Sequence, residues 1–220
     1  MKTKISIISL FPDFIKTIEE HSIIKNALNA ELLEIEILNI RDFTDNGHAD
    51  DTVYGGGKGM LLKIEPIVKA IESIKSEESY VILLGPRGNK FKQEKAKSLS
   101  AKKHIILIAG HYEGVDSRIK HFIDEEISIG DYILTGGEIA SLVLLDSITR
   151  LIPGVIKVES HTNETFENDL FEEDQFTKPE VFRKHSVPKV LLSGNHSDIS
   201  SWRRNNKVKN TINNIQREEK

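Results

Sequence analysis

Apolar positions along the first 150 residues fall into two alternating textures. Short, Ile-rich runs at Lys4–Ser9, Leu33–Ile40, Tyr80–Leu84, His104–Ala109 and Glu126–Ile129 read as buried strands. Between them lie segments with helical spacing. Asp13 can cap a helix that runs to about Leu28, with Phe14, Ile18, Ile23 and Leu28 as apolar markers. Ile64–Ile74 carries Ile64, Ile67, Val68 and Ile71 at i, i+3, i+4, i+7, and Pro66 is tolerated in a first turn. Phe91–Leu99 is a third helix, and Gly137–Ile148 a fourth that is apolar on most faces. This alternation predicts an α/β domain, a mainly parallel sheet with helices on both faces.

The pattern changes at Pro153-Gly154. Seven carboxylates and no Lys or Arg lie between Glu159 and Asp174, a stretch with little periodicity that reads as a linker. From about residue 175 the chain looks helical and polar, with Pro179 and Pro188 as boundaries. The expected organisation is therefore an α/β domain over 1–158, an acidic linker over 159–174 and a small, basic helical domain over 175–220. Charge sharpens this division. The net charge is −4, but Phe176–Lys220 holds ten Lys/Arg against four Asp/Glu. A basic tail on an acidic body suggests a polyanionic partner.

Composition removes several classes of chemistry. With no cysteine, thiolate nucleophiles, Cys-ligated metals and disulfides are excluded. The N-terminus reaches Phe11-Pro12-Asp13 before a secretory apolar core could form, and no run is long enough to span a membrane, so a cytoplasmic protein without membrane contact is expected. Four glycine-rich loops follow strand ends, where open α/β sheets place ligands: 54–59, 85–88, 110–114 and 129–137. None is a P-loop, and Met60 stands where a dinucleotide fingerprint needs its third glycine. His48-Ala49-Asp50-Asp51 matches no metal-site spacing, and neither HExxH nor G-x-S-x-G occurs, so no metal site is expected.

The longer blocks resemble a known family. They are Arg41-Asp42-Phe43, Asp50-Asp51-x-x-Tyr54-Gly55-Gly56-Gly57-x-Gly59-Met60, Gly110-His111-Tyr112-Glu113-Gly114-Val115-Asp116, Ile127–Glu138, Arg150–Val155, Val187–His196 and Trp202-Arg203. In this order they are similar to the bacterial tRNA (guanine-N1)-methyltransferases of the SPOUT superfamily. The resemblance implies transfer of a methyl group from S-adenosylmethionine to N1 of the guanosine just 3′ of the tRNA anticodon, with Mg²⁺ assistance left open. It also implies a deep trefoil knot, which periodicity could not reveal because threaded chains are rare. A homodimer with sites shared between subunits is implied as well. Carried onto this chain, the cofactor set is Leu84, Gly85, Pro86, Gly110, Tyr112, Ile129, Gly130, Asp131, Tyr132, Ile133, Leu134, Gly136 and Gly137.

The reaction gives the remaining residues a purpose. N1 of guanine carries a proton at neutral pH, so a base must take it, and negative charge then develops on O6. The resemblance assigns the electrostatic role to Arg150 and the base to an Asp, where this chain has Glu164; Asp169 is a rival, and Glu113 completes the catalytic candidates. Val53, Gly85 and Arg87 depart from the family's usual Pro, Ser and Gln. Asp50, Gly59, Lys178, Arg183, Lys184, Lys189, Arg203, Arg204, Lys207 and Lys209 are the RNA-binding candidates, most of them cations able to neutralise phosphates. Trp202 could stack on a base or sit in a small core. The alternatives are a related knotted methyltransferase acting on another RNA base and a catalytically silent RNA-binding knot protein.

Overall fold

Chain order runs β1 (Thr3–Ser9), α1 (Pro12–Lys16), α2 (Ser22–Asn29), β2 (Leu33–Asn39), β3 (Asp50–Thr52), β4 (Met60–Leu62), α3 (Ile64–Ile74), β5 (Ser79–Lys90), α4 (Gln93–Ser100), β6 (His104–Ala109), β7 (Glu125–Ser128) and α5 (Glu138–Thr149). These belong to a first compact unit, Met1–Ile156, in a computed structural model that describes residues 2–157, 165 and 170–218. Five strands form one sheet in the order β2-β1-β6-β5-β7, and every pairing in it is parallel. The predicted α/β architecture is therefore present.

Period-two alternation decides which helices each strand face meets. Ile5 and Ile7 of β1, Ile82 and Leu84 of β5, and Ile105 and Leu107 of β6 point into one core with α1, α2, α4 and α5. Ile8, Val81, Leu83, Ile106 and Ile108 point the other way, onto Ile67, Ala70 and Ile71 of α3. All six residues of β6, the central strand, are buried. Each fully buried Ile or Leu contributes about 1.5–3 kcal/mol relative to exposure. On α5, Ala140, Leu144, Leu145 and Ile148 are buried, whereas Ile139 and Val143 stay exposed, so the helix is more apolar than this chain alone uses.

Local details differ from the periodicity. The single helix expected over Asp13–Leu28 is broken into α1, a 3₁₀ turn over Thr17–Glu20, and α2. His21 is extended and Ser22 adopts φ 51, which no continuous helix permits. The β3–β4 hairpin had no apolar alternation to announce it. Its two strands pair Asp50 with Leu62 and Thr52 with Met60, leaving the glycine-rich 53–59 segment at its tip.

The second compact unit spans Lys157–Lys220. Its described elements are a short β8–β9 hairpin (Val181–Phe182 and His185–Ser186), α6 (Lys189–Leu192) and the long α7 (His196–Glu218). Phe176 and Trp202 pack with ring centroids 6.2 Å apart. Among the described residues, every apolar side chain that is fully buried lies at or before Ile152. No helix among the described residues is long and apolar enough to cross a membrane.

Candidate active site

Because the sheet is parallel, the C-terminal ends of β6 and β7 lie at one edge, and the loops leaving them meet the 85–88 stretch there. That stretch is not the loop expected after Leu84 but a bulge inside β5, where the pairing with β7 shifts register between Leu84 and Asn89. The two loops close on each other. The Gly137 amide donates to the Gly110 carbonyl at 2.7 Å, and His111 bridges Gly136 in antiparallel fashion. The approach requires glycine. A Cβ on Gly137 would lie 2.7 Å from the Ala109 Cα, and one on Gly88 would lie 2.4 Å from the Glu126 backbone. Between the loops is a cleft of about 600 Å³, within the range of small-molecule sites.

Of the cofactor candidates, Leu84, Gly85, Pro86, Gly110, Tyr112, Ile129, Gly130, Tyr132, Ile133, Leu134, Gly136 and Gly137 all line this cleft. Asp131 does not: its exposed carboxylate pairs with Lys90 at the end of β5. Glu113 is on the cleft wall, and its amide donates to Met60 O at 3.1 Å. Gly59 sits against its side chain, since a Cβ there would be 2.5 Å from the Glu113 Cγ. The hairpin tip thus reaches the carboxylate, which brings two of the sequence candidates together.

Sequence reasoning passed over three polar groups. Glu138, the first residue of α5, is buried and accepts a hydrogen bond from Ser9 Oγ at 2.8 Å. His111 Nδ1 lies 3.7 Å from the other Glu138 oxygen, and its ring stands between Phe11 and Tyr112, each centroid 5.0 Å away. Glu126 lines the cleft with a side chain only 14% exposed, 3.9 Å from the Arg87 guanidinium. The signal for Glu126 was weak, because β7 reads Glu125-Glu126-Ile127-Ser128 and its acidic half looks solvated, whereas a Glu that the fold buries is rarely there without a partner. Below the 110–114 loop, Asp116 accepts three hydrogen bonds from Arg118, two of them from the guanidinium. These side-chain bonds foremost hold its carboxyl below the usual carboxylate range.

Other candidates lie elsewhere. Arg150 follows the last turn of α5 and is not among the cleft residues. The helix begins at the cleft and is twelve residues long, so Arg150 is about 18 Å away along its axis. Asp50 belongs to β3, outside the cleft lining. Glu164 and Asp169 fall outside the described residues. In the second unit, Lys178, Arg183, Lys184, Lys189, Arg204 and Lys209 are exposed, with the Arg183 guanidinium 5.4 Å from the Phe182 ring centre. Arg203 and Lys207 instead face Glu173, at 3.5 and 3.3 Å. Trp202 is half-buried, its ring against Phe176.

The family described as tRNA (Guanine-1)-methyltransferase TrmD matches residues 3–218. The chain is 51% identical to the tRNA (guanine-N(1)-)-methyltransferase of Mycoplasma mycoides subsp. mycoides SC over 212 residues, which is 95% of this chain and 88% of that protein. The protein of the same name from Carboxydothermus hydrogenoformans is 50% identical over 213 residues, 95% and 84% of the two chains. That from Metamycoplasma arthritidis is 49% identical over 214 residues, 96% and 93%. A match from the first strand through the long C-terminal helix includes every loop of the cleft: the chain belongs to the tRNA (guanine-1)-methyltransferase family.

Proposed function

We propose that this chain transfers a methyl group from S-adenosylmethionine to N1 of the guanosine immediately 3′ of the anticodon in tRNA. The observation that carries the reading is the cleft at the sheet's C-terminal edge, closed by the Gly110–Gly137 contact, in a chain of this family. Its residues fit the cofactor. Leu84, Ile127, Ile129, Leu134 and Ala140 offer an apolar surface to a planar base, and the glycine backbone supplies donors and acceptors that side chains do not obstruct. Bound there, S-adenosylmethionine would supply an activated methyl group on a sulfonium, whose methyl–sulfur bond breaks on transfer to leave a neutral thioether. The family's knot would involve the segments 84–88, 109–114 and 129–137.

The protein's own task is the proton. As the methyl–N1 bond forms, the N1–H bond breaks, and the Glu164 carboxylate accepts the proton. The Arg150 guanidinium stabilises the negative charge developing on O6. Glu113 adds a carboxylate on the cleft wall. Arg150 lies about 18 Å along α5 from the cleft of its own chain. A second copy of the chain would therefore complete each site, and the exposed Ile139 and Val143 offer apolar surface for that pairing. The basic domain after the 159–174 linker would hold the tRNA backbone through the exposed cations and through Arg203 and Lys207.

The test is methyl transfer to an unmodified tRNA transcript, with the methylated atom mapped. Transfer to N1 of the guanosine 3′ of the anticodon supports the proposal; transfer elsewhere, or none, overturns it. Glu164→Gln keeps size but cannot accept a proton, so it should lower the saturated rate by about 10²–10⁴-fold. A rate within about threefold of the parent, well short of that range, would remove Glu164 from the mechanism.

A further inference from the structure

The segment Phe171–Asp174 lies along α7 as a strap. Phe171 N donates to Thr211 Oγ1 at 2.9 Å, and Asn210 Nδ2 donates to the Glu172 carbonyl at 2.8 Å. Asp174 N donates to Asn206 Oδ1, while Asn206 Nδ2 and Asn210 Nδ2 each donate to the Asp174 carboxylate at 3.2 Å. Residues 203, 206, 207, 210 and 211 recur every three or four positions, so they form one face of the helix. In the middle of the strap, Glu173 sets one oxygen 3.5 Å from Arg203 Nε and the other 3.3 Å from Lys207 Nζ. Its side chain is only 16% exposed. An acidic peptide therefore occupies the two cations that a nucleic-acid backbone would also seek.

We propose that the 171–174 strap is an intramolecular competitor of the tRNA backbone, and that phosphates must displace Glu173 before they engage Arg203 and Lys207. This rests on the tRNA reading above. A carboxylate and a phosphate diester are both monoanions, so their exchange on the same two cations is close to balanced. The strap thereby withholds these cations from polyanions that bind by charge alone. The displaced carboxylate must also recruit a solvent cation, which offsets part of the counterion release from the RNA. Both consequences are measurable, because removing the competitor should tighten binding and steepen its dependence on salt.

The experiment uses the full chain and an unmodified tRNA transcript with guanosine 3′ of the anticodon, with binding followed by fluorescence anisotropy from about 50 to 200 mM KCl, where phosphate contacts respond most. Glu173→Gln should bind severalfold tighter than the parent and steepen the log K against log salt slope by up to about 0.9. Glu180→Gln removes the same charge from an exposed position in the same unit and should change neither beyond a small general effect. Asn206→Ala with Asn210→Ala loosens the strap at constant charge and should also tighten binding. Emission of Trp202, the one tryptophan, reports whether each variant keeps the unit folded. Parent-like affinity and slope in Glu173→Gln, matching Glu180→Gln, would overturn the proposal. So would weaker binding by the folded Glu173→Gln or Asn variants, because the strap would then support the RNA surface. A parent that binds but transfers no methyl group counts against the proposed function instead.

Discussion

Adding one methyl group at Gly137 tests whether the closure of the two cleft loops builds the site. The backbone there has φ −80 and ψ −2, which alanine adopts without strain, so Gly137→Ala isolates the steric effect. The new Cβ would lie 2.7 Å from the Ala109 Cα, 2.9 Å from the Gly110 nitrogen and 3.0 Å from the Ala109 carbonyl carbon. All three are main-chain atoms with no rotamer to change. Ordinary carbon contacts need about 3.5–4.0 Å, so the start of α5 and the end of β6 must separate by roughly 1 Å. Overpacking of this kind costs about 1–3 kcal/mol. For a unit of this size each kcal/mol lowers Tm by about 2–4 °C, so a fall of about 2–12 °C is expected by calorimetry. β6 is held in register on both sides by β1 and β5, so the displacement falls on the cleft wall rather than on the sheet. S-adenosylmethionine affinity by titration calorimetry should weaken about tenfold or more, since a 1 Å misplacement is costly in a preorganised site. Gly57→Ala is the control, because its Cβ would meet nothing closer than 4.0 Å, and it should match the parent in both assays. Parent-like Tm and cofactor affinity within twofold for Gly137→Ala would mean that the Gly110–Gly137 contact does not shape the site.

Two further outcomes follow from burial. His104 accepts or donates to Ser6 Oγ at 2.9 Å and Ser79 Oγ at 2.7 Å; burial foremost, then the charge of Lys4, pushes its pKa below the usual 6.5, opposed by Glu36 and Glu34. Its folded pKa is below the unfolded one, so its contribution to stability is complete above about pH 6.5 and is lost as pH falls through the folded value. Tm of the parent should decline on that acid side more steeply than Tm of His104→Asn, and parallel curves would remove His104 from the titration. The second unit holds no fully buried apolar side chain among its described residues, and it carries the only tryptophan, so urea should shift Trp202 emission before it collapses the far-UV circular dichroism of the sheet. Coincident transitions from the two probes would contradict this.

Periodicity along the chain was enough to locate the five sheet strands and the helices α3, α4 and α5, because burial of one face is written into neighbouring residues. His104–Ala109 and Ile64–Ile74 have the boundaries read from their spacing. Elements with little apolar content escaped. Asp50-Asp51-Thr52 pairs as a strand through its backbone alone, and the break at His21-Ser22 is a backbone torsion that apolar markers on either side do not reveal. The cleft loops were legible as glycine motifs, and twelve of the thirteen cofactor candidates line one cavity. Asp131 lay in the same motif, yet its side chain turns to Lys90.

Pairing across long stretches of sequence was a different matter. The order β2-β1-β6-β5-β7, the Ser9–Glu138 hydrogen bond between residues 129 apart, and the seat of Glu126 in the cleft all depend on which surfaces meet after the chain has folded. Charge shows the same division. Counting residues placed ten cations in the tail, but a Lys or Arg carries no mark of its partner. The fold sets Arg203 and Lys207 on one face of α7 and lays Glu173 across them. Local sequence specifies which face of an element is apolar and where the backbone can turn. Tertiary packing, by bringing distant backbones and charges within contact distance, selects which glycines line a cavity and which cations are already neutralised.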